Sequence, residues 1–287
     1  MSWAIVVHGG AKEIAPEKQD GNRAGCLAAL TVGAAVLRQG GSALDAVEAT
    51  IRAFEQDPRF NAGRGSVRDA EDEVAMDAAI MDGATLDVGG VGAIRAVPHP
   101  VSVARLMLRE APTLLVAEGA RRFAEAHGAE TCDPAELLVV PEDPGTDTVG
   151  CVALDVAGNI AAGTSTGGIE GVTPGRVGDS PVPGCGLYAD NALGAVAFSG
   201  DGESIARTIL AARVMQSLEA APPQAAIEGA IARLSRVGGE AGGIVLDHTG
   251  RVGWAHNSRH FAVGIATGAD GRLRTYLSKD EEARDER

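Results

Sequence analysis

The sequence predicts an α+β fold: two stacked β-sheets with helices on their outer faces. The first observation behind this is element order. Segments of helical periodicity and of strand alternation follow one another as helices, strands, a polar linker, strands, helices and strands. The second is composition: glycine supplies 39 of 287 residues and aromatics only 3%, which suits closely packed layers and many tight turns. The third is the 45% hydrophobic content, enough for a substantial core. The length is compatible with one large domain or two ordinary ones, and there is no internal repeat or low-complexity segment.

Taken in order, residues 4–7 form a short apolar strand running into His8-Gly9-Gly10, where the glycines allow a tight turn. A structural hydrogen-bonding role is assigned to His8, with a place lining the active region as the alternative. Over residues 23–38, Leu27, Leu30, Ala34 and Leu37 recur at helical spacing, and Gly40-Gly41 stops that helix. Ser42 is a good N-cap for the next helix, with Asp45 in its first turn and a stripe of Leu44, Val47, Ile51 and Phe54. Asp57-Pro58 breaks it, and the turn-rich FNAGRGS follows at 60–66. Residues 74–81 and 91–97 read as strands, 101–109 and 115–127 as helices. Further strands are expected at 148–155 and 159–165, helices at 203–218 and 223–234, and closing strands at 243–247, 251–256, 261–266 and 273–277. Thr249-Gly250 and Asp270-Gly271 mark hairpin turns. The tail KDEEARDER reads as a solvated end.

The net charge of −14 argues against a nucleic-acid or anionic-membrane surface. No apolar run approaches a membrane span, and MSWAIVVHGG lacks the basic start and long apolar stretch of a signal peptide. Cys26, Cys132, Cys151 and Cys185 are scattered without C-x-x-C spacing. They are read as reduced, mostly buried thiols of a cytoplasmic protein.

The chain is organised around Thr148. Before it lies the Pro-punctuated DPAELLVVPEDPGTD; after it Val149, Cys151 and Ala153 alternate with Val152 and Leu154. The plain explanation of Thr148 is β propensity. The chemical one is a nucleophile that becomes a chain terminus, whose own amine then serves as base. Spacing alone favours the plain one.

DTVGCVALD, GTSTGG, PGRVGDSPVPGCGLYAD and SGDGE occur in order, preceded by HGGA, FNAGRGS and MDAAIMDG. Together these resemble the plant-type asparaginases, or isoaspartyl aminopeptidases, of the N-terminal-nucleophile hydrolases. The resemblance covers most of the chain and implies a four-layer αββα sandwich. It implies a single amidohydrolase domain, 1–287, that cleaves itself between Asp147 and Thr148 into chains 1–147 and 148–287. It makes Thr148 the nucleophile and places the Thr166 hydroxyl near it. Ser199 and the Gly200 N–H would form the oxyanion hole, with Gly202 against the substrate and Asn61 holding the surroundings. The family motif usually begins with Thr where Ser199 stands. Val172 stands where relatives often have Lys, and Thr146 where a His is common. The backbone carbonyls of Phe54, Glu55, Asp57, Phe60, Ala62 and Arg64 would hold a sodium ion. No organic cofactor is implied. A homodimer of cleaved units is implied.

Arg176 and Asp179 fit this picture chemically. An α-carboxylate calls for a bidentate cation and an α-ammonium for a carboxylate, so the pair suits a zwitterion. The plain alternative is a surface ion pair of little energetic weight.

Other motifs are set aside. GTSTG at 163–167 fits G-x-S-x-G, which would make Ser165 a nucleophile, but no helix can open in the GIEGVTPGRVGDSPVPG that follows. GCGLYA matches a loose dinucleotide fingerprint without the required strand and helix. His256 and His260 are four apart, in a segment read as a turn.

The expected activity is hydrolysis of asparagine to aspartate and ammonia, and removal of β-aspartyl residues from dipeptides. The nearest rival is a glycosylasparaginase, whose second motif resembles STNG where this chain has STGG. A non-catalytic binding protein that kept only the clamp is the rival of another class.

Overall fold

The computed structural model describes residues 2–138 and 148–285. Asp147, Thr146 and most of the linker lie outside the described residues, so the expected scissile bond does too.

The chain opens with β1 (Ala4–Lys12), then α1 (Pro16–Arg38) and α2 (Ala43–Gln56). Next come β2 (Met76–Asp82), β3 (Val88–Ile94), α3 (Pro100–Met107), β4 (Leu114–Val116) and α4 (Ala117–Ala126). After the linker follow β5 (Thr148–Leu154), β6 (Ile160–Thr166), β7 (Leu187–Asp190) and β8 (Gly194–Gly200). Then come α5 (Gly202–Thr208), α6 (Leu210–Leu218), α7 (Pro223–Ala232), β9 (Ala241–Asp247), β10 (Val252–His256), β11 (His260–Thr267), β12 (Leu273–Tyr276) and α8 (Lys279–Asp285).

Two sheets result. One has the order β12-β11-β1-β5-β6-β2-β3-β4, the other β10-β9-β8-β7. The neighbours are antiparallel apart from the β3–β4 pair, which is parallel.

Alternation along β5 sorts its side chains between layers. Val149, Cys151 and Ala153 join the core under α1 and α2, with Leu30, Val47 and Ile51. Val152 and Leu154 join the space between the sheets, with Ala197, Ile244 and Trp254. The outer face of the small sheet, Val196, Phe198 and Val245, packs on Leu210, Val214 and Ile227 of α6 and α7. The layers are therefore helix, sheet, sheet, helix. Each fully buried Val, Leu or Ile contributes roughly 1.5–3 kcal/mol, so all three interfaces are strongly favoured. Small residues let the sheets approach: Ala79, Ala162, Ala189, Ala195 and Ala197 all line the central one.

Several elements differ from expectation. α1 begins at Pro16, where proline suits a first helical turn. Its buried side is Cys26, Ala29, Leu30, Gly33, Ala34 and Leu37, while Leu27 is exposed. The segment expected as one helix at 115–127 starts with the short strand β4, because its backbone pairs beside β3. The helix expected over 203–218 is broken at Ile209, whose φ of 46° is left-handed, into α5 and α6. Strands β7 and β8 went unforeseen, because glycine and turn residues interrupt their alternation. Ser199 and Gly200 therefore end a strand; the helix starts only at Gly202, capped by Asp201. The tail folds as α8, which has no buried residue yet is anchored by Arg23–Glu281 and by the Trp254 indole N–H donating to Glu282 at 2.8 Å. Ser42 caps α2 as expected, accepting from the Asp45 N–H at 3.1 Å. His256 and His260 flank the turn between β10 and β11.

Candidate active site

Thr148 is the first residue of β5, and the register sets it opposite Thr166 at the end of β6. On a period of two, Thr148, Gly150 and Val152 share the face that looks toward the small sheet. Thr164 and Thr166 do the same from β6. Thr148 is buried, and its Oγ lies 3.0 Å from the Oγ of Ser180. Its backbone N–H donates to the Oγ of Ser199 at 3.1 Å, and the N–H of Ala11 donates to the same oxygen at 3.2 Å. Ser199 arrives there from the small sheet. The junction of the two sheets thus assembles three hydroxyls, Thr148, Ser180 and Ser199, around one strand end.

Ser180 was not singled out from sequence, although it lies inside the quoted PGRVGDSP. A buried serine in a Pro- and Gly-rich loop was the available signal. Its carbonyl also accepts the Thr164 hydroxyl at 2.7 Å, which ties the loop to β6.

Thr166 closes a turn by accepting the Gly168 N–H at 3.1 Å. Asn61 is fully buried. Its amide donates to the Gly168 carbonyl at 2.7 Å and accepts from the Val67 N–H at 3.0 Å. Its own carbonyl accepts from Gly167 at 2.8 Å. Asn61 thereby fastens the FNAGRGS loop to the end of β6, beside Thr166.

Ser165 points the other way. Its hydroxyl donates at 2.8 Å to Glu55 of α2, on the helix side of the sheet. Glu55 is buried with His99 at 3.0 Å and also accepts the Val101 N–H. Burial pushes the Glu55 carboxyl upward, while hydrogen bonds from His99, Ser165 and Val101 oppose that. Ser165 is part of this support and lies across the sheet from Thr148.

His8 lies on β1, the neighbour of β5 in the large sheet, paired with Gly150 in the β1–β5 register. A side chain at position 150 would put a Cβ 2.2 Å from the His8 ring. Burial pushes His8 down to about 3, partly offset by the Thr148 backbone, so the imidazole is neutral near pH 7.

The Arg176–Asp179 pair sits beyond Ser180. Arg176 makes two hydrogen bonds of 3.0 Å to the carboxylate of Glu203 on α5. Asp179 is buried, and burial pushes its carboxyl up to about 7; the charges of Asp77 and Glu203 add to this and Arg176 opposes it. Gly202 lies between the two. A Cβ there would stand 2.8 Å from Asp179 Oδ1 and 2.9 Å from Arg176 Nη2. Gly200, at φ 140°, takes a backbone conformation that favours glycine and brings β8 against the Glu240 carbonyl. Asp77 holds the loop from below, accepting the Gly178 N–H at 3.1 Å and the Ala93 N–H at 2.8 Å. Asp77 too went unremarked in sequence, though it belongs to MDAAIMDG.

In the loop read as a cation site, the carbonyls of Phe54, Asp57, Phe60 and Ala62 accept N–H groups of Asp57, Phe60, Ala62 and Gly65 within the loop. A carbonyl keeps a second lone pair after one hydrogen bond, so these four retain acceptor capacity. Arg64 turns its side chain away to Gln56, at 2.9 Å.

The chain matches the asparaginase family over residues 1–140 and 136–273. Isoaspartyl peptidase/L-asparaginase of Danio rerio is 41% identical, covering 95% of this chain and 94% of that protein. The Homo sapiens protein of the same name is 40% identical over 98% of each chain, and that of Bos taurus 40% over 95% of each. A buried threonine opening a strand, hydroxyls converging on it, a buried carboxyl beside an arginine, and similarity to these hydrolases over nearly the whole chain meet in one conclusion: the chain belongs to the asparaginase family of N-terminal-nucleophile hydrolases.

Proposed function

We propose that this protein is a self-processing threonine amidohydrolase that converts L-asparagine to L-aspartate and ammonia and releases β-aspartyl residues from dipeptides. The observation that carries it is the position of Thr148: hydroxyl toward Ser180, nitrogen on Ser199, at the junction of the two sheets. The relatives' names support the same substrates, and favour them over glycosylated asparagine.

Processing begins with attack of the Thr148 Oγ on the Asp147 carbonyl carbon. The amide C–N bond breaks and the nitrogen takes the proton, leaving an ester. Water hydrolyses the ester to free the Asp147 carboxylate and the Thr148 hydroxyl, beside the amine released in the first step. That amine then accepts the proton of its own hydroxyl as the oxygen attacks the substrate side-chain amide. Ammonia, or an amino acid, leaves; water releases aspartate from the acyl-enzyme. Arg176 takes the substrate α-carboxylate and Asp179 the α-ammonium. Because Glu203 already occupies the guanidinium, an incoming carboxylate shares or displaces it. Ser199 holds the Thr148 nitrogen and, with the Gly200 N–H, faces the developing oxyanion. The loop of Phe54, Glu55, Asp57, Phe60, Ala62 and Arg64 is proposed to hold a sodium ion, which would stiffen the ground on which Asn61 stands. A homodimer in the cytoplasm is the expected working form.

The test is an intact mass spectrum with N-terminal sequencing, run beside an ammonia-release assay on asparagine. Two fragments, one beginning at Thr148, together with asparagine turnover are expected. A stable single chain that hydrolyses asparagine would overturn the reading.

A further inference from the structure

Four arginines gather away from the cleft, around the break between α5 and α6. Arg207 and Arg213 come from those two helices, and Arg233 and Arg236 from the turn after α7. Together with Thr208 and Ile209 they line a cavity of about 280 Å3. Among the described residues no carboxylate lines it.

This is unusual for the molecule that contains it. The chain has 39 acidic residues against 25 basic ones. Many other arginines meet acids: Arg23 pairs with Glu281, Arg59 with Asp57, Arg95 with Asp69, Arg105 with Asp45 and Arg251 with Asp247. Among the described residues, none of Arg207, Arg213, Arg233 or Arg236 takes part in an ion pair. Four like charges around one concavity repel each other, and among the described residues no ion pair offsets any of them.

The backbone shapes the concavity. Ile209, β-branched and exposed, sits at φ 46°, where such residues are outliers. Its turn ends α5 and starts α6 in a new direction, and thereby sets Arg207 and Arg213 on two walls of one hollow.

We propose that this hollow binds a small polyphosphate-class anion, one carrying two or three clustered phosphoryl groups. Guanidinium forks match phosphate oxygens two at a time, and four arginines lining one hollow suit more than one such group. The volume is at the lower end of small-molecule sites, which fits a compact ligand. The overall charge of −14 repels extended polyanions, so the attraction is confined to the hollow.

Inorganic pyrophosphate is the probe. Calorimetric titration of the full-length protein should give one site per chain, with affinity falling as sodium chloride is raised. The double variant Arg213→Gln/Arg236→Gln should weaken binding about tenfold or more, as loss of two charge-assisted contacts implies. Arg207→Gln/Arg233→Gln must do the same, and thermal melts of both should match the parent. Absence of heat at millimolar pyrophosphate, or unchanged affinity in both variants, overturns the proposal. So does a variant-induced change in sedimenting mass, which would make the hollow an interface between copies.

Discussion

The Oγ of Ser199 accepts a hydrogen bond from the backbone nitrogen of Thr148 at 3.1 Å, across the gap between the two sheets. On the proposed mechanism that nitrogen is an amide before processing and the catalytic amine afterwards. One hydroxyl thus addresses the group that changes its chemistry at cleavage. Ser199→Ala should lower kcat by on the order of a hundredfold, the loss typical of one oxyanion donor. It should also slow the appearance of the two fragments. Ser199→Thr keeps the oxygen and should process and turn over like the parent. A near-normal kcat in the alanine variant, read by ammonia release, would take Ser199 out of the site.

Thr148→Ala should remain one chain of 287 residues and be inactive, because both steps use the missing hydroxyl. Thr148→Ser should cleave and keep partial activity. Ser165→Ala is the matched control: its hydroxyl is bonded to Glu55 on the opposite face of the sheet. It should process and hydrolyse asparagine, at a stability cost of about 1 kcal/mol for the lost hydrogen bond. Gel analysis and activity of the three variants decide the matter, and an active uncleaved Thr148→Ala would sink the assignment.

Gly202→Ala places a Cβ against Asp179 Oδ1 and Arg176 Nη2 at under 3 Å. The clamp must then open, so KM for asparagine should rise about tenfold or more while self-cleavage proceeds, roughly 1.4 kcal/mol of lost binding. Arg176→Ala should act in the same direction. An unchanged KM in both would remove the clamp from substrate binding.

Asp179 gives a signed pH dependence. Its carboxyl is raised to about 7 from 3.8, first by burial. The folded protein therefore binds more protons than the unfolded chain between about pH 4 and 7, and this group's contribution to stability falls as pH rises through that window. Pairing with a substrate ammonium needs the ionised form. Apparent affinity for asparagine should accordingly improve as pH rises through about 7. Asp179→Asn should flatten that KM profile and remove its share of the stability slope. A KM profile in the variant with the parent's shape would refute the assignment.

Ser180→Ala removes the oxygen 3.0 Å from the Thr148 hydroxyl, the proposed nucleophile. A hydrogen bond of about 1 kcal/mol implies a kcat loss of roughly fivefold to tenfold, with processing still complete. Loss of processing would mean that Ser180 acts earlier, at the scissile bond.

The sequence alone determined that Val149 and Cys151 take one face of β5 and Val152 and Leu154 the other, because a strand's period of two is local; the structure decided that the first face meets the helices and the second lies between the sheets. The resemblance carried by the motifs around it, rather than its spacing, made Thr148 the residue to watch, while the zwitterion logic of Arg176 and Asp179 follows from residue chemistry in a short stretch. Tertiary structure decided what surrounds them. Ser199 lies 51 residues from Thr148 and reaches it from the other sheet, at the end of a strand that went unforeseen. Glu203 takes the Arg176 fork, and the raised Asp179 carboxyl depends on burial that no spacing reveals. Ser165 and Thr166 are neighbours in sequence, yet the pleat sends one to Glu55 and the other to the face that Thr148 shares. Hydroxyls carry no sequence signal of their own partners; only the stacking of the two sheets brings these together.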